Sequence, residues 1–360
     1  GVSIKTVKAT SIPTSTPAPM SSTSSASSTP SPKATASPTI SQSPYSAENR
    51  NLTAFKAFQL VNNQSVSNNK LNLIYEYGAF VSPDMVVGLT KYTNKAANIY
   101  SRFLSRSEEI VIHIYTEKDM DKYKDNSIFA NQELKFWLDW YSKDSNLIDS
   151  AYGYPGHNYR SVCKISKPTE CTGVTGQAGA LYPSRANLQT LNFLNRSVVP
   201  HEMFHVVQDY YLYGPNGSFY LAQDSLDSSM PPSFREGGAV FFALASGYET
   251  FQEYERGLDE VMKIDFPKEL RALKTENDVV KLLLRLEKQD RNSQTEYFVG
   301  AVLHEWLIAN FGLDKYISLV QKHNFQIKFS ENFEVTYGLT LTELYKLAAP
   351  EILQRVISKL

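Results

Sequence analysis

Within Val198-Val199-Pro200-His201-Glu202-Met203-Phe204-His205-Val206-Val207-Gln208, two histidines stand four residues apart, and a glutamate directly follows the first. On an α-helix this spacing returns His201 and His205 to nearly the same face, where two neutral imidazoles can hold one Zn²⁺. Glu202 then lies beside the ion rather than on it, placed to take a proton from a water that the cation has acidified. The flanking residues favour a helix. Ser197 can cap it, Pro200 falls in its first turn, and Val198, Phe204 and Val207 give it apolar faces for packing. The plainer alternative is a core helix with two incidental histidines, because the His-Glu-x-x-His pattern has two free positions.

A catalytic zinc takes three protein ligands and leaves the fourth position open. Phe234-Arg235-Glu236-Gly237-Gly238-Ala239-Val240-Phe241-Phe242 offers the third, in a helical pattern with Glu236 near its start and an apolar run after it. Gly237 and Gly238 cost helix stability, which suggests that another backbone, such as that of a packed metal helix, approaches them closely.

A His-Glu-x-x-His helix followed by a Glu-Gly-x-Ala helix resembles the gluzincin zinc metallopeptidases, most closely the peptidase MA-like group related to the thermolysin and gluzincin aminopeptidase families. The resemblance covers about Leu71 to Leu360 and implies a zincin-like fold, one catalytic Zn²⁺, and hydrolysis of peptide bonds with Glu202 as general base. It makes Glu236 the third ligand beside His201 and His205. The segment from Val206 to Arg235 is longer than the family's usual interval. Its excess, the polar stretch Gly214 to Met230, reads as a surface loop and leaves Asp209, Asp224 and Asp227 as rival ligands. Glu296-Tyr297-Phe298-Val299-Gly300-Ala301-Val302-Leu303 resembles the tyrosine-bearing helix of gluzincins. That implies an oxyanion-stabilising role for Tyr297, since a phenol aimed at the developing charge supplies a preorganised hydrogen bond. In a chain with 22 tyrosines the alternative is a packed aromatic. No counterpart of the aminopeptidases' Gly-x-Met-Glu-Asn motif precedes His201, so the resemblance favours an endopeptidase acting on peptides or proteins.

His304-Glu305 is a second His-Glu pair, but Ile308 occupies the position four residues after His304, so no second imidazole returns to that face. It reads as structural, as do His113 between Ile112 and Ile114, His157, and His323.

The supporting elements divide the chain. Residues 1–46 are mostly Ser, Thr, Pro and Ala, unable to bury a core, and read as a disordered linker of the kind found in secreted or surface-tethered proteins. With the chain starting at Gly1, this points to an export signal already removed and an extracellular location. The only cysteines, Cys163 and Cys171, are expected to form one local disulfide. Residues 47–195 read as an N-terminal α/β part of the catalytic domain. Leu71, Leu73, Tyr75 and Tyr77 alternate as in a strand, and a helix from Ser82-Pro83 carries Met85, Leu89, Tyr92, Ala96, Ile99 and Phe103. A second strand carries Ile110, Ile112 and Ile114. Trp137 and Trp140 mark another helix, and Gly179–183 and Asn187–Leu194 read as short strands. By the resemblance, Asn187–Leu194 is the edge on which extended substrate docks. Residues 196–360 read as the helical zinc-binding part, with helices at 251–262, 276–288, 295–310, 314–322 and 341–360. The expected fold class is therefore α+β, a mixed sheet first and helices after.

A net charge of −1, with 36 basic and 37 acidic residues, gives no electrostatic footprint for nucleic acid. No run of about 20 apolar residues could span a bilayer. The alternative function is a non-catalytic binding or adhesion module of the same fold on a Ser/Thr/Pro stalk, and the intact Glu202 argues against it.

Overall fold

Alternating apolar residues build a small sheet, and helical apolar stripes then cover it. The computed structural model describes residues 47–63, 69–116, 118–119, 154–164, 167–182, 188–213, 230–263, 268–288, 295–323 and 327–358. The Ser/Thr/Pro-rich segment 1–46 and the Trp137/Trp140 segment lie outside them. Helix α1 (Ala47–Asn62) is followed by strand β1 (Leu71–Tyr77), helices α2 (Pro83–Val86) and α3 (Leu89–Tyr100), and strand β2 (Glu108–Thr116). Strands β3 (Tyr154–Lys164) and β4 (Lys167–Tyr182) complete a four-stranded sheet of order β1-β2-β4-β3. β1 and β4 flank β2 in parallel, and β3 pairs antiparallel with β4 at the edge. The protein is thus a mixed helix-and-sheet structure, with Ile110, Ile112 and Ile114 buried beneath the helices.

Met85, Leu89, Tyr92, Ala96, Ile99 and Phe103 are all buried, as their spacing requires. The single expected helix is instead two, parted at Gly88, whose φ of +83° is the left-handed conformation that favours glycine.

The rest is helical: α4 (Leu188–Phe193), α5 (Val199–Tyr213), α6 (Pro232–Gly247), α7 (Phe251–Lys263), α8 (Lys268–Ala272), α9 (Glu276–Glu287), α10 (Thr295–Phe311), α11 (Leu313–Gln321), α12 (Phe329–Tyr337) and α13 (Leu341–Ile357). α9 and α13 open with reciprocal capping boxes, Thr275 with Asp278 and Thr340 with Glu343. Among these described residues no helix is long and apolar enough to cross a membrane.

Two expectations are corrected. The described part of the expected strand Asn187–Leu194 is not a strand: α4 occupies Leu188–Phe193 and runs into a further helical turn, and the buried Leu191, Leu194 and Asn195 recur at i, i+3 and i+4. Ser197 is not a helix cap, since α4 runs into α5 through one π-helical turn, Leu194–Val198, in which the Val199 N–H reaches the Leu194 carbonyl. Pro200 accounts for the widening, as its ring crowds the carbonyl four residues back and it has no N–H to donate. The Pro200 carbonyl in turn accepts a hydrogen bond from Tyr100 (3.1 Å).

The β3–β4 register sets Cys163 opposite Cys171 at a shift in the ladder. Their side chains lie outside the described residues, among which no disulfide is seen, so the bond remains a proposal.

α5 packs on β3 and β4, where Gly176 of β4 leaves room for Val206. Behind it, Phe204 is enclosed by Tyr100, Phe103 and Phe242 at ring-centroid distances of 5.0, 5.2 and 4.4 Å. This aromatic core fixes the rotation of α5 and so decides which face His201 and His205 present. Emptying it by Phe204→Ala would cost about 3–5 kcal/mol.

Candidate metal centre

The i, i+4 geometry of α5 brings the two imidazoles together, and α6 supplies Glu236 opposite them. The Nε2 atoms of His201 and His205 are 2.9 Å apart. Glu236 Oε2 lies 3.1 Å from His205 Nε2 and 3.3 Å from His201 Nε2. Three donor atoms from two helices therefore converge on one point, the only such His/Cys/Asp/Glu group among the described residues. The His205 side chain is 2 % exposed, whereas His201 and Glu236 keep 13 % and 20 %, so the group is closed on one side and open on the other.

The arrangement fits a zinc ion on its own chemistry. Ligands of a tetrahedral zinc, at about 2.05 Å from the metal, lie roughly 3.3 Å from one another, close to the separations seen here. The tautomer of His205 strengthens the fit. Gln208 Nε2 donates to the carbonyls of Arg235 (3.0 Å) and Phe234 (3.3 Å), which turns its Oε1 toward His205 Nδ1 at 2.9 Å. His205 must donate from Nδ1, so in the neutral ring Nε2 is a bare lone pair facing a second imidazole and a carboxylate oxygen. Either a hydrogen on His201 Nε2 or a bound cation reconciles atoms placed this way. Burial alone would lower the His201 pKa, but the hydrogen bond to Glu236 and the charges of Glu202 and Glu236 outweigh it and raise it. Burial likewise works to raise the Glu236 carboxyl, yet His205 and His201 hold it well below the usual carboxylate range. Both shifts have the sign expected where positive charge is favoured between the rings and the carboxylate.

Glu202 is buried on α5 and bears electrostatically on both His201 and Tyr297. Tyr297, on α10, stacks beside His201 with centroids 5.9 Å apart. Burial first, then the charges of Glu236 and Glu202, push its phenol far above its ordinary value, so it stays a donor. The structure thus gathers every sequence-expected site residue: His201, His205, Glu236, Glu202 and Tyr297. Of the rival ligands, Asp209 is engaged by Arg235, whose Nη1 and Nη2 meet its two oxygens at 2.9 and 2.7 Å. Asp224 and Asp227 lie outside the described residues.

Gly237 and Gly238 are needed for reasons the sequence did not specify. A Cβ on Gly237 would strike the backbone of Gly300, so the close neighbour is α10 rather than the metal helix α5. That crossing sets Tyr297, three residues before Gly300, against the ligand group. Gln208, Arg235 and Tyr316 were not foreseen as parts of the site, because their role depends on contacts between helices. The sole sequence signal was Gln208 one turn after His205.

No protein-family model matches the chain, and no curated protein is similar to it in sequence.

Proposed function

We propose that the protein is a secreted zinc metallopeptidase of gluzincin, zincin-like type, cleaving peptide bonds with endopeptidase preference. The observation that carries this reading is the convergence of His201 Nε2, His205 Nε2 and Glu236 Oε2 at 2.9–3.3 Å, with Glu202 and Tyr297 beside it. Bound there, zinc would supply Lewis acidity, lowering the pKa of water and polarising a carbonyl. Glu202 accepts the proton of the attacking water and returns it to the leaving amine. Tyr297, kept protonated, donates to the oxygen on which negative charge develops. β3 has one sheet partner among the described residues, and α5 packs beside it. In this reading β3, rather than the helical 188–193 segment, is the edge that receives extended substrate by backbone hydrogen bonds.

The test is metal analysis of the purified protein together with a mixed-peptide cleavage screen, with and without chelator. We expect one zinc per chain and chelator-sensitive cleavage. Glu236→Ala removes one of three ligands, so its zinc affinity should fall steeply and cleavage with it. Equal zinc retention by Glu236→Ala and wild type during dilution against chelator would place the third ligand elsewhere. Zinc binding without cleavage of any peptide would favour the non-catalytic binding module.

A further inference from the structure

Outward from His205 runs a continuous hydrogen-bonded chain through three helices. Gln208 on α5 accepts from His205 Nδ1 at 2.9 Å and hydrogen-bonds the Tyr316 hydroxyl of α11. That hydroxyl lies 3.1 Å from His304 Nε2 on α10, and His304 Nδ1 lies 2.7 Å from the Gly300 carbonyl. The three polar groups meet over Gly238 of α6. A Cβ there would come within 2.7 Å of Tyr316 Oη, 3.0 Å of His304 Nε2 and 3.1 Å of Gln208 Nε2. The second glycine of the Glu-Gly-Gly-Ala segment is thus the space in which the chain is assembled.

The direction of every bond follows from its last member. The Gly300 carbonyl can only accept, so His304 donates from Nδ1. Its ring is fully buried and held neutral, its pKa pushed down to about 4 by burial, so Nε2 accepts from the Tyr316 O–H. With its proton committed to His304, the Tyr316 oxygen is left to accept from the Gln208 amide, whose two N–H groups are shared among it and the Phe234 and Arg235 carbonyls. The amide oxygen then faces His205, which donates from Nδ1 and keeps Nε2 as a lone pair toward Glu236 and His201. All the links are compatible in one sense only.

We propose that Gln208, Tyr316 and His304 are positioning residues for the metal centre, fixing the tautomer and ring orientation of His205 through this chain. The inference rests on the metal-centre reading above. His304, the second His-Glu histidine, thereby belongs to the site without touching it. Partners that orient a ligating histidine typically govern metal affinity by about 10- to 100-fold.

The experiment measures zinc affinity by chelator competition, alongside far-UV circular dichroism and melting, for wild type, Gln208→Leu and Tyr316→Phe. Gln208→Leu should weaken zinc about 10- to 100-fold in folded protein. Tyr316→Phe removes one hydroxyl two links away and should weaken it about 2- to 10-fold, the equilibrium equivalent of one hydrogen bond. A merely structural role would lower the melting temperature and leave zinc affinity per folded molecule unchanged, which overturns the proposal. If Gln208→Leu does not fold, Tyr316→Phe decides alone. A weakened Gln208→Leu beside an unaffected Tyr316→Phe overturns the chain beyond Gln208. A wild type that binds no zinc at all would sink the metal-centre reading itself, a separate outcome.

Discussion

Two His-Glu pairs, the partly open His201-Glu202 on α5 and the buried His304-Glu305 on α10, share the dipeptide and have opposite partners. Around the second pair the histidine and the glutamate are both matched by partners. His304 donates to Gly300 and accepts from Tyr316, while Glu305 takes Arg355 at 2.9 and 3.1 Å and Tyr254 at 2.6 Å. Arg355 in turn donates from Nη1 and Nη2 to Glu255 at 2.6 and 2.7 Å. Around the first pair, by contrast, His201 Nε2, His205 Nε2 and Glu236 Oε2 converge within 2.9–3.3 Å of one another, so that a single proton or cation must serve all three. A pair matched by charge partners stabilises a fold, whereas donor atoms converging on one point are suited to hold a cation. The difference lies in what stands opposite each pair, not in the pairs.

The comparison can be broken most forcefully at the two glutamates' surroundings. Glu202→Gln keeps side-chain size and cannot accept a proton, so turnover should drop by about 10³-fold or more, with zinc content and melting temperature retained. Kinetics matching wild type would mean that Glu202 is as structural as Glu305. Arg355→Met acts on the other pair: it leaves Glu305 buried with Tyr254 as its remaining partner here, at a stability cost of about 3–5 kcal/mol. Zinc affinity of the folded fraction should not change. If that affinity falls with stability, the two pairs are coupled through α10 more tightly than the contacts indicate.

Tyr297→Phe tests the same helix from its metal-facing end. Removal of one oxyanion donor should lower kcat by about 10²-fold with KM and zinc affinity near wild type. Unaltered kinetics would make Tyr297 a packed ring beside His201.

The contrast also explains what could be read in advance. His201, Glu202 and His205 are legible because a helix alone fixes their spacing, and Glu236 because its segment carries its own pattern. Asp209 was open from sequence, since nothing local reveals that Arg235 occupies it. The chain from His304 to His205 was invisible, for its members are contributed by three helices and meet only when α6 offers a glycine. Local signals misled where tertiary geometry overrode them: Ser197 looks like a cap, yet Pro200 turns the entry into a π-helical turn. Leu188–Phe193 lacks strict alternation, and its burial is helical. α1, α8 and α12 were not anticipated, although Ala54, Ala57, Phe58 and Val61 of α1 recur at helical spacing and are buried.

The smallest effect concerns acid. His304 has its pKa pushed down by burial from 6.5 to about 4. Below about pH 6.5 the unfolded chain binds a proton that the folded chain refuses until about pH 4, so ν_U exceeds ν_N and stability falls on acidification. The contribution is fully present above pH 6.5 and is lost at up to about 1.4 kcal/mol per pH unit between the two values. His323, buried with neither ring nitrogen hydrogen-bonded among the described residues and also pushed down to about 4, adds a second proton of the same sign. Unfolding free energies from denaturant titrations at pH 7 and pH 5 therefore test the polarity of the chain. In His304→Gln the loss between those values should shrink by about 2 kcal/mol relative to wild type. An unchanged loss would mean that His304 takes up a proton in the fold as readily as in the unfolded chain. It would then donate from Nε2, Tyr316 would have to turn its proton toward Gln208, and the one-way chain that holds His205 Nε2 bare would no longer be enforced.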